Sequence, residues 1–191
     1  MDSSTFLNKK YIFCIYCLTG KEESVARSLQ NQGFGYLIPY SQRLVVKQGL
    51  SVNEQRKLFP GYVFIETDTF TPQQEVGVRH TEDVIKILSY LSYENKSYAL
   101  VDQDRTFLEW LWKKNGTIEI SHVFKEGDKL RIIDGPLKDR EGSIVSINLK
   151  RRCVAMQVAN SNILGKIWCS IEIVERIDGK QSSPLDEPQQ A

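Results

Sequence analysis

Histidine is almost missing from this chain: His80 and His122 are the two copies among 191 residues. Neither stands at a metal-ligand spacing or in a recognisable triad order. No P-loop, Gly-x-Gly-x-x-Gly or Gly-x-Ser-x-Gly run is present. The acids are scattered among bases, as on a solvated surface. The sequence therefore predicts neither an enzyme nor a bound cofactor or metal. Cysteine is also scarce, with Cys14, Cys17, Cys153 and Cys169. Cys14 and Cys17 have a Cys-x-x-Cys spacing, but they fall inside an apolar run that reads as a strand. Residues three apart on a strand point to opposite faces, so one ion is out of reach of both. Four reduced thiols in a cytoplasmic protein are expected. A stretch of the ~20 apolar residues needed to span a membrane is lacking too. Lys9-Lys10 followed by Tyr11–Leu18 imitates a secretory signal, but no small-x-small cleavage site follows. Net charge is nearly absent, at +1 for the whole chain, which excludes a broadly polycationic protein.

What charge there is lies unevenly. From His122 to Lys166 nine Lys/Arg face five acids, a local excess of four. Such a segment points to nucleic acid, with a solvated charged face as the plainer alternative. The rest of the chain alternates strand and helix patterns. Tyr11–Leu18 reads as a strand. Thr19 and Glu22 have capping-box spacing for a helix from about Gly20 to Gln32, with Val25, Ala26 and Leu29 on one face and Gly33 as its stop. Tyr36–Pro39 and Arg43–Lys47 read as short extended segments, and Gln48–Gln55 as a polar turn or hairpin tip. Lys57-Leu58-Phe59-Pro60-Gly61-Tyr62-Val63-Phe64-Ile65 is the most distinctive stretch. Pro and Gly turn the chain, and the apolar run after them favours a central strand.

Thr71, Pro72 and Gln74 predict a second, short helix from Pro72 to Arg79. Val84–Leu88 is a further strand. A third helix should run from Asp102 or Gln103 to Asn115, with Phe107, Leu108 and Leu111 on one face and one of Trp110 and Trp112 left to solvent. This first region, residues 9–115, predicts an α+β fold: an α/β sandwich with an antiparallel sheet carrying helices. Residues 116–123 read as a linker. From Phe124 the segments become short, β-rich and turn-punctuated, which predicts a small β-barrel over 124–177. Residues 178–191, rich in Pro, Ser and Gln, read as a disordered tail.

Gly127-Asp128-Lys129-Leu130-Arg131 followed by Asp134-Gly135-Pro136-Leu137-Lys138-Asp139-Arg140-Glu141-Gly142 resembles the KOW motif, which sits in an SH3-like barrel. With the Phe-Pro-Gly-Tyr corner some 70 residues upstream, the chain resembles the NusG family: a NusG-type N-terminal domain, a linker and a C-terminal KOW domain. The resemblance implies a transcription elongation and antitermination factor. Its N-terminal domain would bind RNA polymerase, at the clamp helices and across the cleft at the gate loop. The matching positions are Phe13, Leu58, Phe59, Pro60, Tyr62, Ile87 and Leu88 for the clamp helices, and Asp68 and Thr69 for the gate loop. The family's first strand usually opens with Trp-Tyr where this chain has Ile12-Phe13. The basic KOW turns are similar to those of the LoaP-type specialised paralogues. That likeness implies a nascent RNA hairpin as partner, held by Lys129, Lys138, Arg140, Lys150, Arg151 and Arg152 where two turns meet. The alternative is a housekeeping-type adaptor whose KOW domain binds Rho or a ribosomal protein. A monomer with no membrane contact is expected.

Overall fold

The computed structural model describes residues 10–88, 90–91, 96–97, 99–100, 102–126, 129–158 and 164–174. The expected tail, 178–191, lies outside them. In chain order the first elements are β1 (Tyr11–Cys17), α1 (Glu22–Asn31), β2 (Gly35–Leu37), β3 (Tyr40–Lys47), β4 (Leu50–Lys57) and β5 (Tyr62–Thr67). Next come α2 (Pro72–Arg79), β6 (Val84–Leu88), the two-residue β7 (Tyr90–Leu91) and β8 (Lys96–Ser97), and α3 (Asp102–Lys113). Thr117–Ile118 is β9, followed by β10 (Ser121–Glu126) and β11 (Lys129–Asp134). A 3-10 segment, Pro136–Ser143, leads to β12 (Ile144–Asn148), β13 (Cys153–Gln157) and β14 (Lys166–Val174).

The fold is mixed α/β. Strands β2, β5, β1 and β6 form an antiparallel sheet in that order. Both faces of β1 are covered. Phe13, Ile15 and Cys17 point into a core with Val63, Ile65, Ile87 and the apolar stripes of α1 and α2. Ile12 and Cys14 point the other way, into a core with Phe64 and the α3 residues Phe107, Leu108 and Leu111. Cys14 and Cys17 thus belong to different cores, as period-2 alternation requires.

Local signals explain most boundaries. Thr71 caps α2 with the full reciprocal box: its hydroxyl accepts from Gln74 N–H at 3.2 Å, and Gln74 Oε1 accepts from Thr71 N–H at 2.8 Å. The corresponding expectation at α1 is corrected. The helix begins at Glu22 behind Lys21, which offers no side-chain cap, and the Glu22 carboxylate turns to other donors. The polar stretch after Lys47 is also corrected. Only Gln48 and Gly49 form the tip, both with positive φ, 53° and 80°. Two such residues match the twist of a tight hairpin, so Leu50–Lys57 continues as a full strand against β3.

The residues read as a linker are not free chain. Thr117–Ile118 pairs in parallel with β3, and Ile118, Ser121 and Val123 are buried. Strands β11, β10, β14, β13 and β12 form a second sheet in that order. It joins the core that includes α3: Ile132, Leu137, Val154, Met156, Ile167, Cys169 and Ile171 pack in one cluster with Phe107 and Leu111. Of the two tryptophans expected to share exposure, Trp110 is buried and Trp112 is half-buried. The Arg140 guanidinium lies 5.1 Å from the Trp110 ring centroid. Lys114 Nζ and Asp139 Oδ2 stand 3.5 Å apart at the same seam.

Gly135 sets the entry to the 3-10 segment. Its φ is 97°, and a Cβ there would lie 2.6 Å from Ser121 Oγ and 2.7 Å from Ser121 Cα. Buried Ser121 in turn accepts the Leu137 N–H at 3.1 Å. Gly135→Ala is expected to destabilise the protein by at least about 2 kcal/mol, since only glycine tolerates that backbone region. The shift in urea midpoint against the wild-type chain checks it.

Candidate functional site: the proline-glycine corner and the basic turn

The corner from Leu58 to Tyr62 joins β4 to β5, and one carboxylate holds it. Glu22 is fully buried at the start of α1. Its Oε1 accepts the Gly61 N–H at 2.6 Å, and its Oε2 accepts the Gly20 N–H at 2.8 Å and a Lys57 ammonium proton at 2.7 Å. Lys57 also reaches Glu23 at 2.7 Å, and Tyr40 Oη donates to Glu23 at 2.9 Å. Gly61, at φ 85°, leaves only 3.2 Å between a would-be Cβ and Thr19 Oγ1. Cys17 N–H donates to the Gly61 carbonyl at 2.8 Å. One side chain therefore ties together the exit of β1, the start of α1, the end of β4 and the entry to β5.

Burial alone would raise the Glu22 carboxyl. The Lys57 ammonium and the Gly61 N–H outweigh it and hold Glu22 below the ordinary glutamate range. The Lys57 hydrogen bond likewise lowers Glu23. Partial burial pulls Lys57 down, but the two carboxylates raise it to about 12. Burial pushes the Cys17 thiol up to about 11 and that of Cys169 to about 12, so neither is poised as a nucleophile or ligand.

Strand alternation sorts the expected polymerase contacts. Phe13 is a correction: it is buried and stacked on Phe70 with centroids 4.1 Å apart. Phe59 is buried too, edge-on to Phe64 and Phe107 at 6.0 and 6.5 Å. Ile87 lies in the α1/α2 core. All three fill cores because their side chains point between the sheet and a helix. Leu58, Tyr62 and Leu88 are half-buried and Pro60 is exposed. Asp68 and Thr69 are exposed on the loop before α2. One member escaped the sequence reading. Tyr16 stands opposite Tyr62 on β5 and opposite Lys86 on β6, with the two tyrosine rings 5.2 Å apart. Its signal was the parity of β1, since Ile12, Cys14 and Tyr16 share the face of Tyr62. Leu58, Pro60, Tyr62, Tyr16 and Leu88 thus leave a half-open aromatic edge beside the region covered by α3.

The basic residues separate into two groups. Arg140 is spent on Trp110, while Lys138 is exposed beside Lys113 and Lys114 along a groove. Lys150, Arg151 and Arg152 are exposed on the turn between β12 and β13. Asn148 Oδ1 accepts the Arg151 N–H at 3.0 Å, and Arg152 takes φ 49° to close the turn. The exit of the 3-10 segment and this turn stand at opposite ends of β12, roughly 16 Å apart for five residues. The meeting of two turns expected from sequence is therefore corrected: the Arg151 turn is a separate cluster. Lys129 opens β11.

Glu22→Ala should cost about 1–3 kcal/mol, because it leaves the buried Gly61 N–H without an acceptor, while Lys57 keeps Glu23. The pH dependence follows from the lowered carboxyls of Glu22 and Glu23. Their stabilisation is full above the unfolded glutamate value of roughly 4.3 and is lost as pH falls through the lower folded values. Urea unfolding across pH 3 to 7 is expected to show a smaller acid-side loss in Glu22→Gln than in wild type.

The transcription termination factor NusG family model matches residues 10–107, just over half of the chain. The chain is 28% identical to the transcription termination/antitermination protein NusG of Thermus thermophilus over 163 residues, which cover 76% of this chain and 87% of that protein. Its identity to the same-named protein of Staphylococcus carnosus is 26% over 145 residues, 71% of this chain and 78% of that one. A solved structure described as "Domain interaction in Thermotoga maritima NusG" aligns with 85% of this chain and 94% of its own, at 22% identity and a TM-score of 0.48. With its corner, its four-stranded sheet, α1 and α2 inside the matched segment, the chain belongs to the NusG family of transcription termination/antitermination factors.

Proposed function

We propose that this chain is a processive antitermination factor of LoaP type, attached both to RNA polymerase and to a hairpin in the nascent RNA. The polymerase contact in this reading is the edge formed by Leu58, Pro60, Tyr62, Tyr16 and Leu88, with Asp68 and Thr69 at the opposing gate loop. Tyrosines on a half-open apolar edge are the side chains that most often dominate an interface. The sheet from Ser121 to Val174 is read as the KOW domain, an SH3-like barrel, on the strength of its Gly-Asp and Gly-Pro sequence motif.

The observation that carries the RNA half is the turn Asn148–Arg152. Three consecutive cations stand exposed on a backbone fixed by Asn148. No ion pair of theirs is recorded among the described residues. Guanidinium forks on a rigid turn suit phosphate oxygens, and hairpin shape with unpaired loop bases would supply selectivity. Two attachments raise the effective concentration of each and keep the factor on a moving complex. The names of the relatives favour a second reading, a general NusG adaptor whose KOW domain binds Rho or a ribosomal protein.

Single-round transcription separates the two. Readthrough of a terminator is expected to rise only on templates that encode the hairpin upstream; equal readthrough with and without the hairpin overturns the LoaP-type reading. Tyr16→Ala should weaken retention on polymerase at least about 5-fold in a pull-down, with the folded state retained by circular dichroism. Arg151→Glu with Arg152→Glu should weaken RNA binding and flatten its log-affinity against log-salt slope by about one to two. Anisotropy titrations at several salt concentrations read that slope.

A further inference from the structure

The half-exposed side chains of β14 include one that the site described above does not use. Lys166, Trp168 and Ser170 alternate with the buried Ile167, Cys169 and Ile171, so the first three share the outward face. Trp168 is 51% exposed, the most open of the large aromatic side chains among the described residues. Tryptophan is usually well covered, which makes an open one informative. Its register partner on β13 is Ala155, which in turn faces Ser146 on β12. Ala155 lies on this outward face and yet is fully buried. Ala155 thus sits between Trp168 and Ser146 in the register, and the Trp168 side chain remains half open to solvent.

Along its own strand the ring has polar and basic neighbours: Ser170 and Lys166 stand two residues to either side on the same face, while Ser146 lies one strand further, beyond Ala155. The Arg152 carbonyl accepts the Ile171 N–H at 2.9 Å, which brings the Arg151 turn to within about 10 Å of Trp168 along the strand. The acid that continues this face, Glu172, faces His122 Nε2 at 3.6 Å. Exposed Ile147 has the inward parity of Val154 and Cys169 and so belongs to the other side of the sheet. A protein-binding hot spot would surround its aromatic anchor with apolar groups. Here the open ring has Lys166 and Ser170 on its own strand and the Arg151 turn at its end, the pattern of a surface that stacks nucleobases.

We propose that Trp168 is a stacking platform for an unpaired base of RNA, with Arg151, Arg152 and Lys166 on the flanking phosphates. This rests on the RNA-binding reading above and adds to it a preference for single-stranded segments, such as a hairpin loop. The full-length protein is titrated into fluorescein-labelled single-stranded oligoadenylate and, separately, into a blunt RNA duplex. Trp168→Ala should weaken oligoadenylate binding roughly 5- to 150-fold. Duplex affinity and both salt slopes should be unchanged, because stacking releases no counterions. Trp168→Phe should keep most of the affinity, which sets the alanine result apart from unfolding. Oligoadenylate binding by Trp168→Ala equal to wild type overturns the platform alone, as does an equal loss on both probes. Wild-type protein that binds neither probe overturns the RNA-binding reading and the platform with it.

Discussion

A single buried carboxylate, that of Glu22, is the constraint on which the N-terminal half depends. It collects two backbone N–H groups and an ammonium from three separate segments. Gly61 is buried and the Glu22 carboxylate fully so, and an unpaired buried charge is expensive. The corner therefore has one low-energy arrangement. Its proline and glycine supply the permitted backbone angles, and Glu22 chooses among them. The aromatic edge at Tyr62 inherits its position from this choice, since Gly61 is the residue at which the carboxylate acts.

That arrangement also shows why only part of the site could be read from sequence. The corner, α2 with its capping box and the face of α1 were legible, because each depends on residues within a few positions of one another. The Glu22 latch was not. Its partners lie 35 and 39 positions away, and Glu22 itself sits where a capping box would place an acid. The hairpin tip was misjudged for a related reason: polar residues on both sides of Gln48-Gly49 hide a register that only the pairing of β3 with β4 reveals.

Parity accounts for the remaining differences. Phe13 matched the family position for a contact residue, but its neighbours Ile12 and Cys14 take the face that leads to the open edge. The aromatic residue on that face is Tyr16, at the far end of the strand. In the C-terminal sheet the basic residues were legible as charge, but not their division into two groups. Arg140 is withdrawn onto Trp110, whereas Arg151 and Arg152 stay outside on a turn. Within the segment expected as a linker, 116–123, the short parallel pairing of Thr117–Ile118 with β3 leaves no periodicity to read.

Strand β1 is packed on both sides, and this has an evolutionary consequence. Odd-numbered positions from Phe13 to Cys17 maintain one core, while Tyr16 ends the even-numbered series in partial exposure. Selection can thus rewrite the rim of the sheet, exchanging one aromatic for another or for a charge, without disturbing the helices behind it. A lineage that changes partners needs few compensating substitutions there. Inserting one residue upstream would instead exchange the two series and disturb both cores together.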